Sequence, residues 1–337
     1  MGYPTLRAWL YNNPALDGAI MENIWGYKWK MSNRPHLDVV GANIENGNGI
    51  LQVRIYSKNG KEIYNSKSRV EIQNNKFSME FELKEPLVAP EIAEIIFIQG
   101  NKIVRAELPI KIHKIWGKVT NFEGNPIPAY LWAISEREVP IATKKGIDGT
   151  VVKADSFGNY ELWLPEERIK CIFVADETYH KETFECWIWE LTPSKDIKIN
   201  PHIDKLEIYN LHAWLAYLDY SSAHIHFIPG SLARTLASLE RYKDKRKSAD
   251  ILSSFPRLKR SDVKVYVGEE ECEIKSFTEH LSYRKGIQPS YILDVDSKKF
   301  HTEDPIVRVV ITHETKFKDK KVVEKGEAYF LGFCGRA

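Results

Sequence analysis

The stretch LQVRIYSKNGK (residues 51–61) alternates apolar and polar side chains and ends in an Asn-Gly turn. Alternation with a period of two is typical of a half-buried β-strand, and Asn-Gly favours the tight turn of a β-hairpin. Further strand patterns follow, with Phe77, Met79 and Phe81 on one face of one strand and residues 92–98 forming another. We therefore predict an antiparallel β-sandwich over residues 36–112.

Residues 1–35 begin this N-terminal unit, which we place at residues 1–112. They carry three of the nine tryptophans of the chain, Trp9, Trp25 and Trp29. Three prolines interrupt the segment, and proline removes a backbone donor that a strand interior needs. We therefore predict an irregular lead segment that packs over a neighbouring sheet.

The length and composition are those of a folded multidomain chain. The 337 residues, 43% hydrophobic and 28% charged, fit two or three domains. No run of about eighteen apolar residues exists, so the sequence predicts no membrane-spanning helix. The 48 basic and 46 acidic side chains leave a net charge of +2, which is too balanced for a protein dedicated to binding nucleic acid.

The second unit, residues 113–202, contains three motifs: GKVTNFEGNPIPAYLWAI (117–134), ADSFGNYELWLP (154–165) and IFVADETYHKETFECWIW (172–189). Their order resembles the carboxypeptidase-regulatory-like, transthyretin-like family of β-sandwich modules. The matching residues are Gly117, Val119, Gly124, Pro126, Asp155, Gly158, Tyr160 and Pro165. The resemblance implies a sandwich that serves as a non-catalytic appendage. Residues 135–152 depart from the family pattern with an extra loop.

Turn chemistry in this unit agrees with the resemblance. Glycine tolerates a positive φ, so Gly124 and Gly158 suit tight turns. Asp155 is placed to accept hydrogen bonds from the backbone of its own turn. We expect strands on either side of both turns.

The third unit, residues 203–337, has strand patterns at 207–218, 224–228, 263–267, 291–296, 306–311 and 326–333. One helix interrupts them at about residues 231–246, where Ser231 suits the N-cap and apolar residues recur at helical spacing. We predict a sandwich or a barrel with this single helical insertion. Residues 326–329, Gly-Glu-Ala-Tyr, resemble part of the last hairpin of lipocalin-like barrels in the carotenoid-hydratase superfamily, which implies a cavity for an apolar substrate.

Four cysteines in 337 residues do not indicate a disulfide scaffold. Cys171 and Cys186 flank a segment that reads as a hairpin turning near residues 178–179. A symmetric turn there would place the two cysteines opposite each other, close enough for a disulfide. Two buried free thiols are the alternative.

Three histidines of the third unit are candidate metal ligands or acid–base groups. His224 and His226 point to one side of a strand, so they can present two imidazoles to one divalent metal. His212 lies on the preceding strand of the same hairpin, whose register the sequence leaves open. Two surface histidines without a metal are the alternative. A further ligand would come from one of four residues: Glu279, His280, His313 or Glu314.

Tryptophans indicate a binding surface. Trp187 and Trp189 share one face of the strand CWIWE (186–190), and only one face of a two-layer sandwich strand can be core. If exposed, the two indoles would form a platform for the apolar face of a sugar ring; if buried, they would fill a domain junction. Trp25 and Trp29 invite the same interpretation.

A basic stretch covers residues 241–247 and continues at Arg257, Lys259 and Arg260. Charge runs of this kind are usually solvated helix ends and loops. Together with the balanced net charge, this predicts no nucleic-acid partner.

Residues 1–20 lack the basic-then-apolar layout of a secretory signal. A cytosolic protein would have such a start, and so would a mature chain whose signal had been removed. We favour an extracellular or cell-surface location.

The sequence thus predicts an all-β protein of three consecutive antiparallel sandwich domains, immunoglobulin- or transthyretin-like. The leading functional hypothesis is a non-catalytic binding protein, without a cofactor, that recognises carbohydrate or a protein surface through exposed aromatic side chains. The second is an enzyme with a histidine site in the third unit, lined by Trp214. It would be a lipocalin-like isomerase, hydratase or cyclase, or a metal-dependent hydrolase or lyase. No phosphate-binding glycine loop, paired CxxC, HExxH or GxSxG motif supports this second hypothesis.

Overall fold

The computed structural model describes residues 3–22, 28–135, 150–216, 221–241, 255–282, 288–301, 305–317 and 320–333. Within these ranges the chain consists of β-strands, one α-helix and two short 3-10 helices. The prediction of an all-β protein is confirmed. None of the described helices is long and apolar enough to span a membrane.

The N-terminal unit is a sandwich of two antiparallel sheets. Its described strands are β1 (Thr5–Tyr11), β2 (Leu16–Glu22), β3 (Lys28–Asn33), β4 (His36–Ala42), β5 (Gly47–Ser57), β6 (Glu62–Ile72), β7 (Lys76–Glu82), β8 (Pro90–Gln99) and β9 (Lys102–Pro109). One sheet has the order β1-β4-β7 and the other the order β6-β5-β8-β9. Alternate residues such as Leu37, Val53 and Ile95 fill the core between them. The prediction of an antiparallel β-sandwich is confirmed for this part of the chain, and its predicted bounds, residues 36–112, stay a prediction.

The lead segment is not irregular, contrary to the sequence prediction. β1 pairs with β4 along its whole length, and β2 pairs with β3 in a separate hairpin. The three prolines lie just outside these strands, at positions 4, 14 and 35, where a missing backbone donor costs nothing in the ladder. They therefore separate the strands rather than break them. Trp29 lies on β3, and Trp25 lies outside the described residues.

The middle unit contributes β10 (Ile112–Lys118), β11 (Tyr130–Ser135), β12 (Thr150–Lys153), β13 (Asn159–Pro165), β14 (Ile169–Ala175), β15 (Cys186–Leu191) and β16 (Ile197–Lys198). The turn predictions are confirmed, since Gly124 and Gly158 have φ angles of 85° and 81°. The Asp155 carboxylate accepts the N–H groups of Phe157 and Asn159 at 2.9 and 2.8 Å. Membership of the carboxypeptidase-regulatory-like family stays a prediction.

The C-terminal unit is a sandwich rather than a barrel, because its strands lie in two distinct sheets. Its strands are β17 (Leu206–Leu215), β18 (Ser222–Ser231), β19 (Val263–Val267), β20 (Glu270–Glu271), β21 (Glu273–Ser282), β22 (Gln288–Asp296), β23 (Val307–Phe317) and β24 (Lys320–Phe330). The helices are α1 (Leu232–Arg241) and two 3-10 turns, Arg260–Asp262 and Lys298–His301. β17-β18-β22-β21 form one sheet, which packs on β24, β23 and β19.

The middle and C-terminal units share one sheet of eight strands. Its order is β12-β11-β14-β15-β24-β23-β19-β20, and it is continuous because β15 pairs in parallel with β24. One face of this central sheet packs on β13-β10-β16, with Ile188 in the core. The other face packs on the β17-β18-β22-β21 sheet, with Phe330 in the core. The division into three domains stays a prediction, and a boundary near residue 202 separates strands that are neighbours in this sheet.

Cys171 and Cys186 are free and buried, so the predicted disulfide is wrong. Across β14 and β15, Cys171 pairs with Trp189, three residues beyond Cys186. Because side chains alternate along a strand, this odd offset turns the two sulfur atoms to opposite faces of the central sheet. Each thiol accordingly packs in a different core.

Helix α1 begins directly after β18, as the sequence predicts. Ser231 Oγ accepts the N–H of Arg234 at 3.2 Å, which is the expected N-cap contact. Glu324, buried on β24, accepts the N–H of Ala233 at 2.9 Å and the Ser231 hydroxyl. A carboxylate is favoured at this end of a helix by the helix dipole. Residues 242–246 of the predicted helix lie outside the described residues.

Buried polar contacts join the N-terminal and middle units. The Asn13 amide donates to Thr150 Oγ1 at 2.9 Å and to the Trp163 carbonyl at 2.7 Å, and it accepts the Trp163 N–H at 2.7 Å. The buried Tyr11 hydroxyl donates to the buried Glu167 carboxyl. Burial raises the pKa of Glu167 to about 8.

Glu167→Gln should make the stability less dependent on pH between about 5 and 8. The folded protein keeps the Glu167 proton up to a pKa of about 8, whereas the unfolded chain releases it near 4.5. Rising pH in this window therefore destabilises the wild type, by at most about 1.4 kcal/mol per pH unit, and glutamine has no proton to lose. Urea unfolding at pH 5 and pH 8 measures the difference.

The exposed variant Glu107→Gln is the control and should keep the wild-type pH slope. Equal slopes for Glu167→Gln and the wild type would show that Glu167 is not the titrating group.

Candidate functional site

The hairpin of β17 and β18 brings four of the predicted site residues onto one face. His212 lies directly opposite His226, and Trp214 lies directly opposite His224. Opposed residues in an antiparallel ladder share a face, as do residues two apart on one strand. The three histidines and Trp214 therefore share the face opposite Ala213 and Ile225, which point into the core.

Rings on this face form a row that we call the ring ledge, which consists of Tyr209, His212, Trp214 and His224. The ring centroids of Trp214 and His224 are 5.4 Å apart, and those of His212 and Trp214 are 6.3 Å apart. Buried rings support the row from the central sheet: Phe330 lies 5.3 Å from His212, and Trp189 lies 5.5 Å from Tyr209. Trp214 remains 39% exposed, so part of its indole is open to solvent.

Polar groups border the exposed indole of Trp214. His224 Nδ1 hydrogen-bonds one carboxylate oxygen of Asp294, and the Ser276 hydroxyl donates to the other. His224 lies on β18 and Ser276 on β21, the two strands that flank β22, and both residues pair with Asp294 of β22. The three residues therefore lie side by side in the sheet. The Ser276 hydrogen bond, and then the bond to His224, lower the pKa of Asp294. The ledge therefore ends in an ionised carboxylate held between two donors.

Trp187 and Trp189 lie at the junction between the middle and C-terminal units. Their rings stack at 4.8 Å, and the edge of Tyr209 contacts both. Trp189 is only 7% exposed and packs in the core that contains Phe173 and Phe330, while Trp187 is half-buried. An open platform for a sugar ring does not form at Trp189, because the second sheet of the C-terminal unit covers that face. The two indoles instead lie in the junction between the units, which is the alternative given in the sequence analysis.

A pair of carboxyl groups lies behind this junction. Trp187 Nε1 donates to Glu185 at 2.9 Å, and the Glu207 carboxyl group lies close to that of Glu185. Gly230 leaves room for the pair, because a Cβ at this position would lie 2.3 Å from a Glu207 oxygen. Burial raises the pKa of both carboxyl groups, and the neighbouring charge of Glu185 raises that of Glu207 further. Both carboxyl groups therefore hold a proton more strongly inside the junction than an exposed carboxyl group does.

His226 on the ring-ledge face has a pKa below the usual value for histidine. Burial lowers its pKa, and the imidazoles of His212 and His280 lower it further, while a hydrogen bond to the Asn210 backbone acts in the opposite direction. A neutral imidazole can act as an acceptor or as a metal ligand. His226 is thus suited to either role near neutral pH.

Metal-ligand geometry occurs elsewhere in the described part of the chain. There, His36, Asp38 and Glu80 each place one ligand atom within 4.8 Å of the others, and the three predicted histidines form no such group. Three of the further candidates are engaged with other side chains: Glu279 with Arg257, His313 with Asp262 at 2.9 Å, and Glu314 with Lys321 at 2.8 Å. The metal and acid–base roles of His212, His224 and His226 stay predictions.

Sequence reasoning misses an open groove in the middle unit. The groove has a volume of about 750 Å³ and is lined by Trp116, Lys118, Tyr160 and Lys198 among others. Trp116 is 37% exposed, and the Lys198 ammonium lies 4.9 Å from its ring centroid. One feature of the sequence could have indicated this groove: the spacing of Lys114, Trp116 and Lys118 places an indole between two lysines on one strand face.

The basic stretch is only partly described. Residues 242–247 lie outside the described residues. Arg257 pairs with Glu279, and Arg260 donates to the Ile274 carbonyl. These two guanidinium groups are thus engaged within the C-terminal unit.

No protein-family model matches the chain, and no curated protein sequence matches it. BcpA, the major pilin subunit of Bacillus cereus, aligns over 60% of this chain and 70% of its own, at 11% identity and a TM-score of 0.19. The group B streptococcus pilus 2b backbone protein aligns over 55% of this chain and 96% of its own, at 6% identity and a TM-score of 0.19. A marsupial T cell receptor aligns over 96% and 98%, at 8% identity and a TM-score of 0.16. Likenesses at this level carry no argument about fold, partners or location.

His212→Gln should raise the pKa of His226, because the substitution removes a like charge directly across the ladder. The titration of the His226 ring protons by NMR measures the shift. His113→Gln, in the middle unit, is the control and should leave the pKa of His226 unchanged. An unchanged pKa in His212→Gln would contradict the close approach of the two imidazoles.

Proposed function

We propose that the protein is a non-catalytic binding protein whose ring ledge recognises carbohydrate. The observation that carries the proposal is the exposed indole of Trp214 beside the hydrogen-bonded set of His224, Asp294 and Ser276. An indole face and a few fixed polar groups are the two components that a sugar ring needs from its binding site.

Each component has a separate task. The apolar face of a pyranose ring stacks on the Trp214 indole and releases water from both surfaces. The Asp294 carboxylate accepts hydrogen bonds from sugar hydroxyls, and its two existing donors hold it in place. The remaining ring nitrogen of His224 offers a further polar contact.

The shape of the surface favours an extended ligand over a small enclosed one. His212 and Trp214 are alternate residues of one strand, about 6.6 Å apart along it, and Tyr209 precedes them across a β-bulge, so the rings can meet successive units of a chain. An extracellular or cell-surface location fits a ligand of this kind. The middle unit would then serve as an appendage module, as its family resemblance implies, and no cofactor is required.

The proposal is tested with an oligosaccharide array followed by calorimetry on the ligands that bind. Trp214→Ala should weaken binding at least about tenfold, which is the usual cost of removing an aromatic anchor. Trp116→Ala is the matched control, because this indole is equally exposed but lies in another unit.

Failure of every oligosaccharide to bind would overturn the carbohydrate proposal. Equal affinity of Trp214→Ala and the wild type would overturn the assignment to the ring ledge. Loss of binding in Trp116→Ala alone would move the site to the groove of the middle unit.

A further inference from the structure

Three metal-ligand side chains meet on the outer face of the β1-β4-β7 sheet. His36 and Asp38 are two residues apart on β4 and therefore share a face, and Glu80 on β7 lies directly opposite Asp38. This face belongs to the N-terminal unit and is remote in sequence from the ring ledge. The neighbouring Leu37 points the other way, into the sandwich core.

The spacing of the three side chains suits a single ion. One ligand atom from each residue lies within 4.8 Å of the other two. In a tetrahedral zinc site the ligand atoms lie about 2.0 to 2.2 Å from the ion and about 3.4 Å from one another, so side-chain rotations that close the gap by about 1.4 Å bring all three to coordinating distance. The backbone of a paired strand fixes their origins, which limits the entropy lost on binding.

The His36 ring is held in the tautomer that a metal requires. Its Nδ1 lies 2.8 Å from the Arg34 carbonyl, which can only accept, so Nδ1 carries the proton and Nε2 keeps a free lone pair. Metal-binding histidines usually donate their second ring N–H to a carbonyl or carboxylate in this way. The buried Tyr11 ring stacks on His36 at 4.7 Å and fixes the plane of the imidazole.

Three carboxyl groups originate on this part of the sheet face. Asp38 and Glu80 lie directly opposite each other across an antiparallel ladder, so both carboxyl groups originate on one stretch of the sheet face. Glu82 lies directly opposite His36 and adds a further carboxyl group to this region. The guanidinium of the nearby Arg34 is paired with Asp17 at 2.8 Å.

We propose that His36, Asp38 and Glu80 bind a divalent transition-metal ion such as Zn²⁺. One imidazole and two carboxylates form a mixed nitrogen and oxygen set, which suits zinc, cobalt and manganese better than calcium. Three protein ligands leave at least one coordination position for water or for a group from a ligand. The site is separate from the histidines of the C-terminal unit and does not depend on the carbohydrate proposal.

The test measures metal binding to the full chain. Calorimetry monitors the binding of Zn²⁺, and visible absorption spectroscopy monitors the binding of Co²⁺. The wild type should bind one ion at this site and show the absorption bands of protein-bound Co²⁺. Asp38→Asn and Glu80→Gln preserve side-chain shape and should each weaken binding at least about tenfold. NMR should show the His36 ring resonances shifting on addition of Zn²⁺.

Two controls locate the ion. Glu71→Gln, an exposed acid on the other sheet of the same sandwich, should bind as the wild type does. The double variant His212→Gln/His226→Gln should retain the same ion, which excludes the ring-ledge face as its source. No bound metal in the wild type, or unchanged binding in Asp38→Asn, would overturn the proposal.

Discussion

The parallel pairing of β15 with β24 is the interaction on which the rest of the structure depends. Trp187 and Trp189 lie beside Ala328 and Phe330, and the Leu331 N–H continues the ladder with a hydrogen bond to the Trp189 carbonyl at 2.9 Å. This pairing fuses strands from two parts of the chain into the central sheet. It also gives that sheet a second packed face, against which the C-terminal unit builds its own layer. The ring ledge exists because β17 crosses this face, with Gly326 of β24 leaving room for the backbone at Leu206.

Several carboxyl groups are buried along the same junction, and each is accommodated in a different way. Glu327 accepts hydrogen bonds from the backbone and ring of His202 and from the Tyr329 hydroxyl. Glu324 caps helix α1, and burial raises the pKa of Glu185 and of Glu207, which favours their neutral forms. A buried charge is costly unless it is bonded or neutralised, so these contacts specify one arrangement of the two units rather than adding general stability.

The alternation of apolar and polar residues was sufficient to predict an all-β fold, because each outer sheet has one solvent-exposed face and one buried face. It was not sufficient to predict the central sheet. β11 and β14 are buried on both faces, so their sequences YLWAIS and IKCIFVA show no alternation from which a partner could be chosen. The disulfide predicted between Cys171 and Cys186 was wrong because the local sequence does not determine the register of β14 and β15. That register depends on the turn between the two strands, where His180 adopts a φ of 62°. The convergence of His212 with His226 follows from strand alternation, whereas Asp294 reaches His224 only through sheet pairing that no local pattern records.

Native-state hydrogen exchange across β15 and β24 tests the central claim most directly. If these strands form one sheet, their amides should lose protection in a single opening event with the same free energy and the same denaturant dependence. That event should also expose the amides of β14 and β23. Exchange of β15 in a separate, lower-energy opening that leaves β24 protected would show that the middle unit is an independent domain, and it would contradict the shared sheet.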